Sequence, residues 1–164
     1  FFKAAEILKN NSKIRFIIVG DGALKNSYLN QFGYLPNLIY FPKVDKNQVQ
    51  SFLAYADLLY FSVFKSKVWD YGQSLNKIID YMISAKPIIA SYSGYPSMIN
   101  EAGCGYFIPA EDCHSLVIKI KEMALMTEFE RNTMGARGLS WLLENRSYEK
   151  LAEDYLRLLF EQKK

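Results

Sequence analysis

Short apolar runs alternate along the chain with stretches whose apolar residues recur every three or four positions. The first run is Ile14 to Val19, broken only by Arg15. Leu38-Ile39-Tyr40, Leu58-Leu59-Tyr60-Phe61, Pro87-Ile88-Ile89-Ala90 and Tyr106-Phe107-Ile108 follow it. Consecutive apolar positions suit strands of a parallel sheet that is covered on both faces. The intervening stretches read as helices. Ala23 to Gln31 follows the first strand. Val49, Phe52, Leu53 and Ala56 share one face of the next helix, with Asp45 and Gln48 spaced as a capping box ahead of it. Leu75, Ile78, Ile79, Met82 and Ile83 form the stripe of a third, with Ser74 as its N-cap. Pro96 to Glu101 reads as a short helix.

Beyond the fifth run the pattern is purely helical. Leu116, Ile120, Met123 and Ala124 mark one helix, roughly Glu128 to Leu143 a second, and Tyr148, Leu151, Ala152, Tyr155 and Leu159 a third. Strand–helix alternation with short loops predicts one α/β domain over residues 1–164: a doubly wound, Rossmann-like parallel sheet with a helical C-terminal tail. Ligands of such domains sit at the carboxyl ends of the strands, so functional residues are expected after Val19, Tyr40, Phe61, Ala90 and Ile108.

Composition narrows the chemistry. Half of the 164 residues are apolar and 23% are charged, and the net charge of +3 is too small to argue for a nucleic-acid partner. Cys104 and Cys113 make neither a metal-ligand pattern nor a disulfide framework and read as two reduced thiols. The single histidine, His114, sits in Asp112-Cys113-His114-Ser115, a solvated helix start, so neither a multi-histidine metal site nor a Ser-His-Asp triad is expected. No run approaches the roughly 20 apolar residues of a membrane span. The opening residues, Phe1-Phe2-Lys3-Ala4-Ala5-Glu6-Ile7-Leu8, read as an amphipathic helix already under way, so the chain is expected to be a fragment.

The loops at the ligand edge supply the candidates. Gly20-Asp21-Gly22 would let backbone approach a phosphate at a helix N-terminus; two glycines in a tight turn also arise from turn chemistry alone. Phe41-Pro42-Lys43-Val44 could hold a flat base, or could be a plain strand-to-helix connection. The long loop from Ser62 to Gln73 carries aromatics, Lys65, Lys67 and Asp70; long loops at this edge are usually functional or mobile. On the next helix, Gln73, Asn76, Lys77 and Asp80 fall opposite the apolar stripe. An Asn amide, a Lys ammonium and a carboxylate one turn deeper could bind a phosphate and a diol. A solvated face with a Lys77–Asp80 pair is the plainer alternative.

Taken together, these segments resemble the C-terminal domain of group 1 GT-B glycosyltransferases, a retaining family. The resemblance runs from Ile14 to about Leu159. Phe16-Ile17-Ile18-Val19-Gly20-Asp21-Gly22 is similar to the family's strand and glycine turn. Val49 to Asp57, followed by Leu58-Leu59-Tyr60, is similar to its helix ending at Ala-Asp before a strand. Asn76 to Ala90 is similar to its signature Glu-Ala-Met-Ala-Ala-Gly-Lys-Pro-Val-Ile-Ala, and Gly103 to Pro109 to its Gly-x-Gly-x-x-Val-Pro strand.

The resemblance implies a donor-binding domain. The family uses two acids separated by seven residues. Asp80 takes the place of the second, which binds the donor ribose; the first falls at Gly72, where no carboxylate stands, and Asp70 is the substitute within reach. Ser74, Asn76 and Lys77 resemble a subset that makes bacterial surface polysaccharides, including amino-sugar transferases, and would lie by the diphosphate or ribose. Lys43 and Val44 match the region that packs on the base, and Gly20 and Gly22 the turn facing the interdomain cleft. The family's diphosphate-clamping Arg and Lys lie upstream of the helix with which this chain opens. The implied reaction transfers a sugar from a nucleotide diphosphate, UDP by expectation, to an acceptor hydroxyl, without metal or cofactor. Its partners would be the N-terminal acceptor domain of the same enzyme and a saccharide or lipid-linked acceptor. The expected location is the cytoplasm, with the full-length protein peripheral at the inner membrane face. A non-catalytic nucleotide-binding module, a UDP-sugar epimerase and a dinucleotide-dependent oxidoreductase remain rival readings.

Overall fold

Each apolar run forms a strand in the computed structural model, which describes residues 1–73, 75–95 and 97–161. The strands are β1 (Phe16–Val19), β2 (Leu38–Phe41), β3 (Leu59–Ser62), β4 (Ile88–Ser91) and β5 (Gly105–Ile108). Helix α1 (Phe2–Ile7) precedes β1, and α2 (Lys25–Phe32), α3 (Val49–Ala54), α4 (Asn76–Ile83) and α5 (Met98–Ala102) separate the strands. Three consecutive helices, α6 (Cys113–Leu125), α7 (Glu128–Arg146) and α8 (Tyr148–Glu161), form the tail. The expected α/β alternation and helical tail are both present.

Element ends shift for local reasons. β1 starts at Phe16 rather than Ile14 because Ile14 N–H donates to the Asn11 carbonyl at 3.2 Å, closing a turn. α4 starts at Asn76, and its N-cap position is held by Leu75, which offers no capping oxygen. The expected cap, Ser74, lies outside the described residues, as does Pro96; the helix expected from Pro96 starts at Met98, capped by the Ser97 hydroxyl. Lys67–Tyr71, inside the long loop after β3, winds into a 3₁₀ helix with Ser66 as its cap.

All pairing is parallel. β1 pairs with β2, with Phe16 opposite Leu38 and Val19 opposite Phe41. β4 lies between β3 and β5, with Leu59 opposite Ile88 and Ile88 opposite Gly105. The expected sheet is thus laddered as a two-stranded and a three-stranded group.

Successive side chains of a strand point to opposite faces, and this builds two cores. Ile89, Phe16 and Ile108 pack with Ala4 and Ala5 of α1, with Leu8 just after it, and with Leu116, Val117 and Ile120 of α6. Ile88 and Ala90, the neighbours of Ile89, pack on the other face with Leu59, Phe61, Ile78 and Met82 of α4 and Ile99 of α5. Helices on both faces make the domain doubly wound. Full burial of each such aliphatic side chain contributes about 1.5–3 kcal/mol. α7 closes the second core by lying on α4 and α5. It can do so because Gly135 presses on the backbone at Ala85, and Gly138 on Cys104, where a Cβ would collide.

Candidate functional site

The carboxyl ends of β1 and β3 open into a cavity of about 480 Å³. The turn after β1 forms one wall. There Gly20 has φ 141°, a conformation that L side chains rarely adopt, which accounts for the glycine. Asp21 folds back on the turn: its carboxylate accepts the Gly22 N–H at 2.9 Å and lies 3.7 Å from the Lys25 ammonium. Lys25 opens α2, so the turn delivers the cavity to a helix N-terminus. The opposite wall is β3, with Lys77 and Tyr81 reaching in from α4. The Tyr81 hydroxyl donates to the Tyr60 carbonyl at 3.3 Å, and burial pushes its pKa upward, with the Asp80 carboxylate adding to the effect. Lys77 is exposed and makes no ion pair with a described residue, so its charge faces the cavity uncompensated.

Of the expected site residues, Gly20, Gly22 and Lys77 line this cavity. Asn76, the first residue of α4, is exposed. Asp80 lies one turn beyond Lys77 on the same helix and is half-buried; its carboxylate does not line the cavity, and its backbone carbonyl accepts the Gln50 side chain at 3.1 Å. The alternative Lys77–Asp80 ion pair does not form. Lys43 is exposed and Val44 half-buried in the connection after β2, and neither reaches the cavity. Phe41, at the end of β2, stands edge-on to Phe52 of α3 with ring centroids 5.5 Å apart and stays 40% exposed, leaving surface for a flat ring. Gln73, expected on the solvated face, instead has both side-chain amide atoms enclosed, without a hydrogen-bond partner among the described residues.

Asp70 belongs to a second cavity of about 400 Å³, lined also by Lys65, Ser66, Lys67, Ser93 and Gly94. Gly72, where the first family acid would fall, ends the 3₁₀ helix at φ 100°. That backbone favours glycine over any carboxylate-bearing residue. His114 is exposed at the start of α6, and no cluster of three potential metal ligands occurs among the described residues. No helix of the described residues is long and apolar enough to cross a membrane.

A set of contacts that the sequence pattern does not signal ties the ligand-edge loops together. The Trp69 carbonyl accepts the Tyr92 hydroxyl at 2.9 Å, the Tyr95 N–H at 2.9 Å and the Gly72 N–H at 3.1 Å. The Trp69 indole donates to the Phe64 carbonyl at 3.0 Å. The Ala110 N–H reaches the Ser93 hydroxyl at 2.9 Å, and the Lys65 N–H reaches the Glu111 carboxylate at 3.3 Å. The loops after β3, β4 and β5 are thus joined into one rim. An aromatic-rich loop is the only trace of this in the sequence.

Parallel strands, helices on both faces and a cavity at the strands' carboxyl ends define a Rossmann-like domain of the kind that forms the C-terminal half of GT-B glycosyltransferases. Residues 1–125 match the family described as glycosyl transferases group 1, and the chain belongs to that family. Solved structures share the fold. TarM superposes with a TM-score of 0.75 at 21% identity, over 97% of this chain and 31% of TarM. A sucrose-phosphate synthase from Thermosynechococcus elongatus gives 0.71 at 14% identity, over 98% of this chain and 42% of its own. WaaG, a glycosyltransferase involved in lipopolysaccharide biosynthesis, gives 0.66 at 17% identity, over 97% and 42%. The chain therefore spans less than half the length of each. No curated protein sequence matches it.

Proposed function

We propose that this domain binds the nucleotide-diphosphate sugar, a UDP-sugar, that a group 1 glycosyltransferase uses as donor. The observation that carries the reading is the convergence of the Gly20–Gly22 turn and the Lys77 ammonium on one cavity at the carboxyl ends of β1 and β3. Backbone N–H groups at a glycine turn and helix start, together with an unpaired cation, are suited to a diphosphate. The same groups would stabilise the charge that grows on the leaving nucleotide as the sugar departs, the usual electrostatic strategy where charge develops in a transition state. Asn76 stands beside Lys77 for the diphosphate, and the Asp80 carboxylate, one turn further along α4, accepts the ribose hydroxyls. Phe41, Lys43 and Val44 flank the base. Asp70 borders a separate cavity and is a weaker substitute for the first family acid. The acceptor hydroxyl, on a saccharide or a lipid-linked saccharide, would be presented by an N-terminal domain of a longer cytoplasmic protein, so the 164 residues alone would not transfer sugar.

Calorimetry on the longer protein with UDP, GDP, NAD and UDP-sugars tests this reading. UDP should bind, and should bind far more weakly to Asp80→Ala; absence of binding by any nucleotide would sink the reading. One observation favours a second reading, a donor-type module without catalysis: the φ of 100° at Gly72, where the family carries an acid. Nucleotide binding without turnover of any UDP-sugar in the longer protein would favour that alternative.

A further inference from the structure

The second cavity, of about 400 Å³, lies at the same edge of the sheet as the first. Ser62 lines the first and Lys65 the second, and three residues of chain span at most about 11 Å. Its volume falls in the range of small-molecule sites, about 300–1,000 Å³. Contacts between loops frame it. The Trp69 carbonyl gathers the Tyr92 hydroxyl and the N–H groups of Tyr95 and Gly72. Gly94 closes on that junction, where a Cβ would collide with the Trp69 carbonyl and the Tyr92 hydroxyl. Glu111 holds φ 66°, a backbone that side chains seldom adopt, and its carboxylate accepts the Lys65 N–H at 3.3 Å. The Ser93 hydroxyl accepts the Ala110 N–H at 2.9 Å and keeps its own proton to donate. The frame is thus tied together, while the charged side chains that line it stay uncommitted. Among the described residues, the Lys65 and Lys67 ammoniums and the Asp70 carboxylate form no ion pair, with one another or with any other group. Two ammoniums against one carboxylate leave the lining with a net positive charge.

We infer that this second cavity binds a sugar that carries an acid group, a uronic acid, with Lys65 and Lys67 holding its carboxylate. Lysine ammoniums are mobile point charges that donate to a carboxylate without demanding one geometry. Two of them in one cavity, with no protein partner, call for an anion. Asp70 argues against a bare anion such as phosphate, which it would repel. Its carboxylate instead accepts protons from hydroxyls, and the Ser66 and Ser93 hydroxyls add further polar partners. The fitting ligand is anionic at one end and hydroxyl-rich elsewhere. Apolar surface on the same loops suits such a ligand too. Phe64, Val68, Tyr71 and Tyr95 each adjoin a lining residue in sequence and are 60% to 93% exposed. A pyranose offers apolar C–H faces that pack on rings of this kind. Two sources share this chemistry: the sugar of the nucleotide-sugar donor, and a sugar of the acceptor. Only the first rests on the donor-site reading.

NMR titration of the isotope-labelled 164-residue chain tests the inference with two pairs of probes. One pair is methyl β-glucuronide and methyl β-glucoside; the other is UDP-glucuronate and UDP-glucose. Within each pair a carboxylate replaces a hydroxymethyl group. The acid member of at least one pair should bind roughly three- to tenfold more tightly than its neutral partner, the gain expected from two exposed ion pairs. The amides of Lys65, Ser66, Lys67, Asp70, Ser93 and Gly94 should shift as it binds. The preference should vanish in the Lys65→Gln, Lys67→Gln double variant and shrink in about 1 M salt. A preference confined to the UDP-sugars assigns the cavity to the donor's sugar; one shown by the methyl glycosides assigns it to the acceptor's. Either supports the inference. Equal affinity within both pairs, or no binding by any probe, overturns it. So does an acid preference that survives in the double variant, or that shifts only amides elsewhere. If the methyl glucuronide binds as described and neither UDP-sugar binds, the acid-sugar site stands and the donor reading falls. If both UDP-sugars bind alike and the methyl glycosides show no preference, the donor reading stands and this inference falls.

Discussion

The Tyr92 hydroxyl donates to the Trp69 carbonyl at 2.9 Å, joining the residue after β4 to the 3₁₀ helix after β3. The ring of Tyr92 is buried, and its centroid lies 5.9 Å from that of Trp69. Replacing Tyr92 by Phe keeps the ring and removes the hydrogen bond. The expected cost is about 1 kcal/mol, read as a lower urea midpoint at unchanged slope. The Lys67–Tyr71 segment should lose amide protection beyond that global change. Equal stability of Tyr92→Phe and the parent would mean that this rim is not held by Trp69.

Ala85, just past the Ser84 cap of α4, has φ 53°, a left-handed conformation in which a Cβ is strained. The family signature has glycine at this place. Ala85→Gly should therefore raise stability by about 1 kcal/mol, since relief of the strain exceeds the entropy glycine loses on folding. Equilibrium urea unfolding checks it, and a destabilised variant would contradict the assigned backbone.

Burial pushes the Cys104 thiol up to about 11 from its ordinary value near 9. The unfolded chain therefore releases this proton near pH 9, while the folded chain holds it until about pH 11. Between those values the unfolded state binds fewer protons, so stability falls as pH rises. The decline between pH 9 and 11 should be steeper in the parent than in Cys104→Ala, in which the other high-pH groups still titrate. Equal slopes would contradict the assignment. At pH 8 the half-buried Cys113 should react with a thiol reagent well before Cys104.

Sequence periodicity carried much of this fold because its main determinants are local. Runs such as Ile88-Ile89-Ala90 have no polar face, which suits strands buried on both sides, as β4 is. Asp112, in the turn expected to cap a helix, does cap α6 by accepting the Ser115 N–H at 3.0 Å. Asp45 and Gln48 meet as the capping-box spacing implies, at 3.3 Å. What pattern could not supply depends on contacts distant in sequence. The Trp69 carbonyl gathers donors from Tyr92 and Tyr95, a fact of three-dimensional packing. The break between β1 and β3 depends on which strands become neighbours, and strand period is silent on that. The polar face of α4 was legible as a face, but Lys77 enters the cavity and the Asp80 carboxylate does not, because a turn of helix changes both height and direction.

The central claim is that the Gly20–Gly22 turn and Lys77 hold a nucleotide diphosphate, and the most direct test is calorimetric titration of UDP and of uridine into the longer protein and its Lys77→Ala variant. A lost charged hydrogen bond costs about 1.5–3 kcal/mol, or roughly ten- to hundredfold in affinity. That loss is predicted for UDP, with uridine binding unchanged. Equal UDP affinity in the two proteins, or an equal loss for uridine, would contradict the claim.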